Sequence, residues 1–154
     1  MSQAIDQTTH AAAGRDRAGS ATSAKGRGVT VAFWILTALF CLQMTFTAFA
    51  QLRLPQVAAA FTHLGFPDYF RVELSWAKLV GVVVLLAPVP ARLKEWAYAG
   101  FAIDLASALI AHLAVGDGPR AWGWAVGTGV LWAGSYLLWR RRRAHVVVAS
   151  PAAA

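Results

Sequence analysis

The chain has a single cysteine, Cys41. That excludes an intramolecular disulfide, a CxxC redox pair and a cysteine-based metal cluster. Charge is also scarce. Asp, Glu, Lys and Arg make up 14% of the 154 residues, where a soluble domain carries about 25%. Acidic side chains are the rarest, seven against 14 Lys and Arg, which leaves a net charge of +7. Glycine-rich phosphate loops and Ser-His-Asp spacing are absent, and no polar stretch is long enough to hold a soluble catalytic domain. Of the four histidines only His112 falls inside an apolar run. This argues against haem held by histidine at mid-depth. A zinc site would need more ligands than His112, Glu73 and a distant His63 offer, so no metal ligands are assigned.

What the sequence has is apolar length. Hydrophobic residues make up 58% of it, and the mean hydropathy is +0.51. Apolar runs cover residues 29–50, 72–89, 97–115 and 121–139, each close to the roughly 20 residues that cross a bilayer as helix. The implied class is all-α: a polytopic, up-and-down bundle of four transmembrane helices over residues 29–143, in contact with the lipid bilayer. A pI near 10.5 could point to nucleic acid, but the basic residues flank apolar runs, and there they set orientation. With four spans, Arg15, Arg17, Lys25, Arg27, Arg92, Lys94 and the four arginines at 140–143 share one side with both termini. Arg53, Arg71 and Arg120 lie on the other. Ten against three places both termini in the cytoplasm. Ala48-Phe49-Ala50 resembles a signal-cleavage site, but the run before it exceeds the 7–15 residues of a signal core, so an uncleaved first helix is expected.

Residues 1–28, rich in small and polar side chains, and residues 144–154, without periodicity, read as disordered cytoplasmic tails. Between the first two runs, Pro55 suits a first helical position, Gly65 a C-terminal cap and Pro67 a stop. Val57, Phe61 and Leu64 fall at i, i+4, i+7. A short amphipathic helix lying at the interface in the first outer loop is therefore expected. Residues 116–120 form a turn by their Gly and Pro content. Gly123 and Gly127 make a GxxxG pattern suited to packing within the bundle.

Two charges interrupt the central runs. A charged residue at a span centre costs roughly 2.5–3.5 kcal/mol on insertion scales. If the second and third spans turn at residues 88–96, Lys78 and Asp104 lie about 15 Å and about 10 Å from the same surface. A lysine side chain bridges that difference, so an intramembrane ion pair locking the hairpin is expected. The same residue types would also serve a proton or ion relay. By helix rise, Gln43, Glu73 and His112 share one level, about 21–22 Å up. They could form an outer polar pocket for a polar ligand or quinone head, with His112 and Glu73 exchanging protons. Solvation of these groups at the membrane boundary is the alternative.

The stretches AFTHLGFPDYFRVELSWAKLVGVVVLL (60–86) and RLKEWAYAGFAIDLASALIAHLAVGD (92–117) resemble the DoxX-like family of small bacterial integral membrane proteins. The matching positions are His63, Gly65 and Pro67 before the helix with Gly81, then Lys94, Glu95 and Trp96 leading into the helix with Asp104 and His112. The resemblance implies a four-helix membrane bundle in the bacterial cytoplasmic (inner) membrane. Relatives in the wider DoxX group are associated with quinone-linked respiratory or sulfur-oxidising complexes, while the DoxX-like branch has no defined activity. The leading expectation is a membrane subunit or binding component that is not catalytic on its own. The alternatives are the membrane subunit of a quinone-linked oxidoreductase, with quinone as cofactor, and a small proton-coupled transporter. A membrane redox partner or a second copy of the chain would be its partner, and nucleic acid would not.

Overall fold

The computed structural model describes the backbone of residues 2–149 and the side chains of residues 26–144. Among the described residues the chain is entirely helical: α1 (Ser2–Arg53), α2 (Pro55–His63), α3 (Asp68–Leu86), α4 (Ala91–Ala114) and α5 (Pro119–Ala149). The backbones of α1 and α5 enter both stretches expected as tails. The side chains of 1–25 and 145–154, and Met1 and 150–154 altogether, lie outside the described residues.

Proline opens four of these elements, α5 among them with Pro119 as its first residue. Leu54 is extended and Pro55 takes the first position of α2, Pro67 caps α3, and Pro90 caps α4. A proline tolerates these places because a first-turn N–H has no partner in the helix. Two helices end on glycine in the left-handed region, with φ +80° at both Gly65 and Gly116. After α2, Phe66 N–H donates to the Phe61 carbonyl at 2.9 Å and Gly65 N–H to that of Thr62 at 3.0 Å. After α4, Asp117 N–H donates to the His112 carbonyl at 2.9 Å and Gly116 N–H to that of Leu113 at 3.1 Å. Both are Schellman motifs, which fold the chain back onto the last turn.

The four long helices run alternately up and down. Thr37 meets Ser135 and Gln43 meets Thr128 between α1 and α5. Gln51 meets Ser75 between α1 and α3. Lys78 meets Asp104 between α3 and α4, and Tyr98 meets Ser135 between α4 and α5. The ring is thus α1, α3, α4, α5. Two glycines let neighbours close up: a Cβ at Gly81 would lie 2.7 Å from Phe101 Cζ, and one at Gly134 would lie 2.9 Å from Leu36 Cδ1. The expected packing role of Gly123 and Gly127 is not seen. No atom of a neighbouring element lies within 4 Å of where their Cβ atoms would stand.

The bundle is filled at one end. Phe33, Phe40, Leu85, Tyr98, Phe101 and Trp139 pack toward the 140–143 arginines, with Phe40 edge-on to Phe101 at 5.0 Å across the ring. Within this core Ser135 Oγ lies 2.7 Å from both Thr37 Oγ1 and Tyr98 Oη, so the buried hydroxyls satisfy one another. Lys94 Nζ donates to the Leu85 carbonyl at 2.8 Å, closing the end of α3. The outside is apolar: Leu42, Val80, Val83, Ile103, Ile110 and Val130 are all exposed. The helical stretches Gly26–Arg53 and Ala91–Ala114 are long and apolar enough to cross a membrane.

Candidate functional site

Opposite the packed end, the helices enclose a cavity of about 630 Å³. Its walls are mainly apolar. Met44 and Phe46 come from α1, Phe70 and Leu74 from α3, Ile103 and Ala108 from α4, and Trp124 and Ala125 from α5. The short helix α2 lies over it with Val57, Ala60, Phe61 and Leu64, and Phe66 follows from the Schellman turn. α2 has no buried residue of its own, because its apolar face meets this space rather than packed side chains. The aromatic run Phe61, Phe66, Phe70 forms one edge, with ring centroids 6.0 Å and 5.1 Å apart in sequence.

At the inner end of the cavity lie Lys78 and Asp104, with Nζ 3.4 Å from Oδ1 and side chains 8% and 11% exposed. The pair sits one turn from Gly81 and Phe101, where the packed core begins. At 3.4 Å the contact is an ion pair longer than a good hydrogen bond. The lysine has two further N–H donors and the carboxylate spare lone pairs. Polar groups along the walls are few: Thr47, Gln51, Ser107, His112 and Thr128.

At the outer end, Asp117 is bracketed by two imidazoles. His112 Nδ1 lies 2.6 Å from Oδ2, and His63 Nε2 lies 3.0 Å from Oδ1. One carboxylate therefore joins the ends of α2 and α4 to the turn before α5. Hydrogen bonds from His112 and then His63 hold the Asp117 carboxyl below the usual carboxylate range. The two Schellman motifs explain the meeting. Asp117 and Phe66 are the residues each motif folds back onto its own helix, so Asp117 returns to His112 by local geometry.

The sequence-derived site residues divide. Lys78, Asp104 and His112 line the cavity. Gln43 does not, but its Nε2 donates to Thr128 Oγ1 at 3.3 Å, and Thr128 does line it. Glu73 is exposed on the outer face of α3, away from the cavity, so the expected cluster of Gln43, Glu73 and His112 does not assemble. The partner that His112 does have is Asp117, which the Gly and Pro content of residues 116–120 places only in a turn. Its signal was available in the spacing His112-x-x-x-Gly116-Asp117. Among the motif residues, His63 binds Asp117, Gly65 and Pro67 shape the turn into α3, and Gly81 admits Phe101. Lys94 closes α3, Glu95 pairs with Arg143 at 3.1 Å, and Trp96 is exposed. Also unforeseen were Gln51, held by Ser75 Oγ at 3.0 Å, and Arg71, whose Nη1 donates to the Gln51 carbonyl. Among the described residues no group of three His, Cys, Asp or Glu side chains could hold a metal ion.

No curated protein and no solved structure matches the chain. A family model does match, over residues 35–135, a stretch that holds every wall of the cavity and more than half of the chain; the protein belongs to the DoxX-like family.

Proposed function

We propose that the protein is a membrane-embedded binding component whose cavity takes a small amphipathic molecule from the bilayer. The ligand's polar groups would meet the few polar side chains of the wall, His112 toward the outer end and Lys78 and Asp104 at the inner end. One observation carries this reading: an apolar-walled cavity of about 630 Å³ with a buried ion pair at its inner end. That volume falls within the roughly 300–1,000 Å³ of small-molecule sites. Phe46, Ile103 and Trp124 belong to the cavity wall and are each more than half exposed, which fits entry from the side through hydrocarbon.

In this reading all four long helices cross the inner membrane of a bacterium, α2 lies at the outer interface, and both termini are cytoplasmic. Polar side chains turned inward and apolar ones outward support it, since lipid offers no partner for a hydroxyl or an amide. So does the clustering of Arg140, Arg142 and Arg143 against aromatic rings at one end. A quinone-linked oxidoreductase subunit would use the same cavity for the quinone head, with a redox partner supplying the electrons. The packed core from Phe101 to Trp139 favours binding over transport, because it fills the half of the bundle a transported solute would have to cross.

Photolabelling tests the reading. Protein in phosphatidylcholine nanodiscs would be exposed to a diazirine-bearing long-chain alcohol and the labelled residues mapped. Labels concentrated on Phe61, Leu74 and Ala108, and displaced by excess unlabelled alcohol, are expected. Labels spread evenly over the outer positions Val80, Ile110 and Val130 would refute it.

A further inference from the structure

His112 stands in the cavity wall about two turns outward of Asp104. Its Nδ1 lies 2.6 Å from Asp117 Oδ2. An ionised carboxylate accepts hydrogen bonds and cannot donate one, so Nδ1 carries a proton, and whenever the ring is neutral its lone pair is on Nε2. Asp117 is in a condition to impose this. His63 engages its other oxygen at 3.0 Å, and its backbone is pinned by the Schellman bond to the His112 carbonyl. Hydrogen bonds from His112 and then His63 hold its carboxyl below the usual carboxylate range, so it is ionised at neutral pH. His112 Nε2 itself has no hydrogen-bond partner among the described residues, and it is not among their fully buried polar atoms.

We propose that His112 Nε2 is the hydrogen-bond and proton acceptor of the cavity, and that the ligand is an amphipathic molecule bearing an acidic hydroxyl. The proposal rests on the binding role given above and names the ligand's chemistry. Binding aims the ligand's O–H at Nε2. When the proton transfers, the O–H bond breaks, an N–H bond forms, and the products are an oxyanion and an imidazolium paired with Asp117. No electron changes hands. Asp117 keeps its charge throughout, so it is a positioning residue: it fixes the tautomer and offsets the positive charge that forms on the ring. A ligand without a donor buries the Nε2 lone pair unmatched, and the cavity discriminates against it.

The test compares para-hexylphenol with its methyl ether, para-hexylanisole, which fills nearly the same space but has no donor. Affinities for the full chain in phosphatidylcholine nanodiscs would be measured by calorimetry. The phenol is expected to bind about tenfold more tightly. His112→Phe should erase the preference. Asp117→Asn, which keeps the shape and leaves His112 in place, should reduce it. A second measurement needs no ligand. Ring-nitrogen shifts of isotope-labelled histidine at about pH 8.5, well above the ordinary histidine range, should show His112 protonated on Nδ1 in the unmodified chain and redistributed in Asp117→Asn. Equal affinity for the two ligands overturns the proposal and leaves the binding role standing. Binding of neither ligand overturns both. A proton found on Nε2 in the unmodified chain overturns the proposal whatever the affinities.

Discussion

Lys78→Met and Asp104→Asn, separately and together, test whether the inner ion pair holds the bundle. The two groups are 3.4 Å apart and almost wholly shielded by protein. At an effective dielectric constant of about 20, opposite charges at that separation attract by about 5 kcal/mol. Removing each from water costs several kcal/mol, so the intact pair lies near break-even against a neutral replacement. Removing one partner does not. The other charge then keeps its burial cost and loses its attraction, and each single change should destabilise by about 3–5 kcal/mol. In the double variant neither charge remains. Methionine fills the lysine's path, and the asparagine amide is the only group still short of partners. The two singles together lose the attraction twice and the double loses it once, so the double variant should be more stable than the sum of the two singles by about 5 kcal/mol.

Unfolding in mixed micelles on titration with sodium dodecyl sulfate would supply the free energies. The chain's seven tryptophans make fluorescence a sensitive signal, and Trp132 and Trp139 both pack against the core. The four proteins form a closed cycle, so errors shared by the reference state cancel. If the double variant's loss equals the two single losses to within about 0.5 kcal/mol, the charges are independent and the geometric argument is wrong.

Three further outcomes are expected. Gly81→Ala should destabilise by about 1–3 kcal/mol in the same assay, because the added Cβ would lie 2.7 Å from Phe101 Cζ; in a Phe101→Leu background the same alanine should cost less. A reporter fused after Trp139 should be active only in its cytoplasmic form, and activity of a periplasmic reporter there would reverse the proposed orientation. Asp117 has its folded-state carboxyl held low by His112 and His63, so the stability it lends is present above its unfolded value of about 3.9 and is lost as pH falls through the lower folded value. Amide exchange in α2 should accordingly stay slow through mild acid and rise only below that range, and Asp117→Asn should abolish the acid step.

The helices were legible because apolar length and proline placement are local properties, whereas their faces were legible only where a second anchor existed. Lys78 and Asp104 each demanded a partner, and the demand fixed which way both helices turned. Glu73 has a depth in the sequence but no such partner to fix its face. Helix rise gives height, but each residue also turns the helix by about 100°, so Glu73, five residues before Lys78, points about 140° away from it. That puts it on the outer face while Ser75, Lys78, Val82 and Leu85 go inward. On α4 the eight residues from Asp104 to His112 amount to a net turn of about 80°, so both reach the same cavity. The hollow itself had no signature in the sequence, since an absence of packing depends on five elements together. Asp117 is the intermediate case. A glycine that must go left-handed after His112 commits the next residue to fold back on that turn, so the pairing was contained in six consecutive residues. Its other half, His63, arrives by the same device on α2. The outer end is thus built from two local motifs, each of which the sequence specifies alone, and only their meeting across one carboxylate is tertiary.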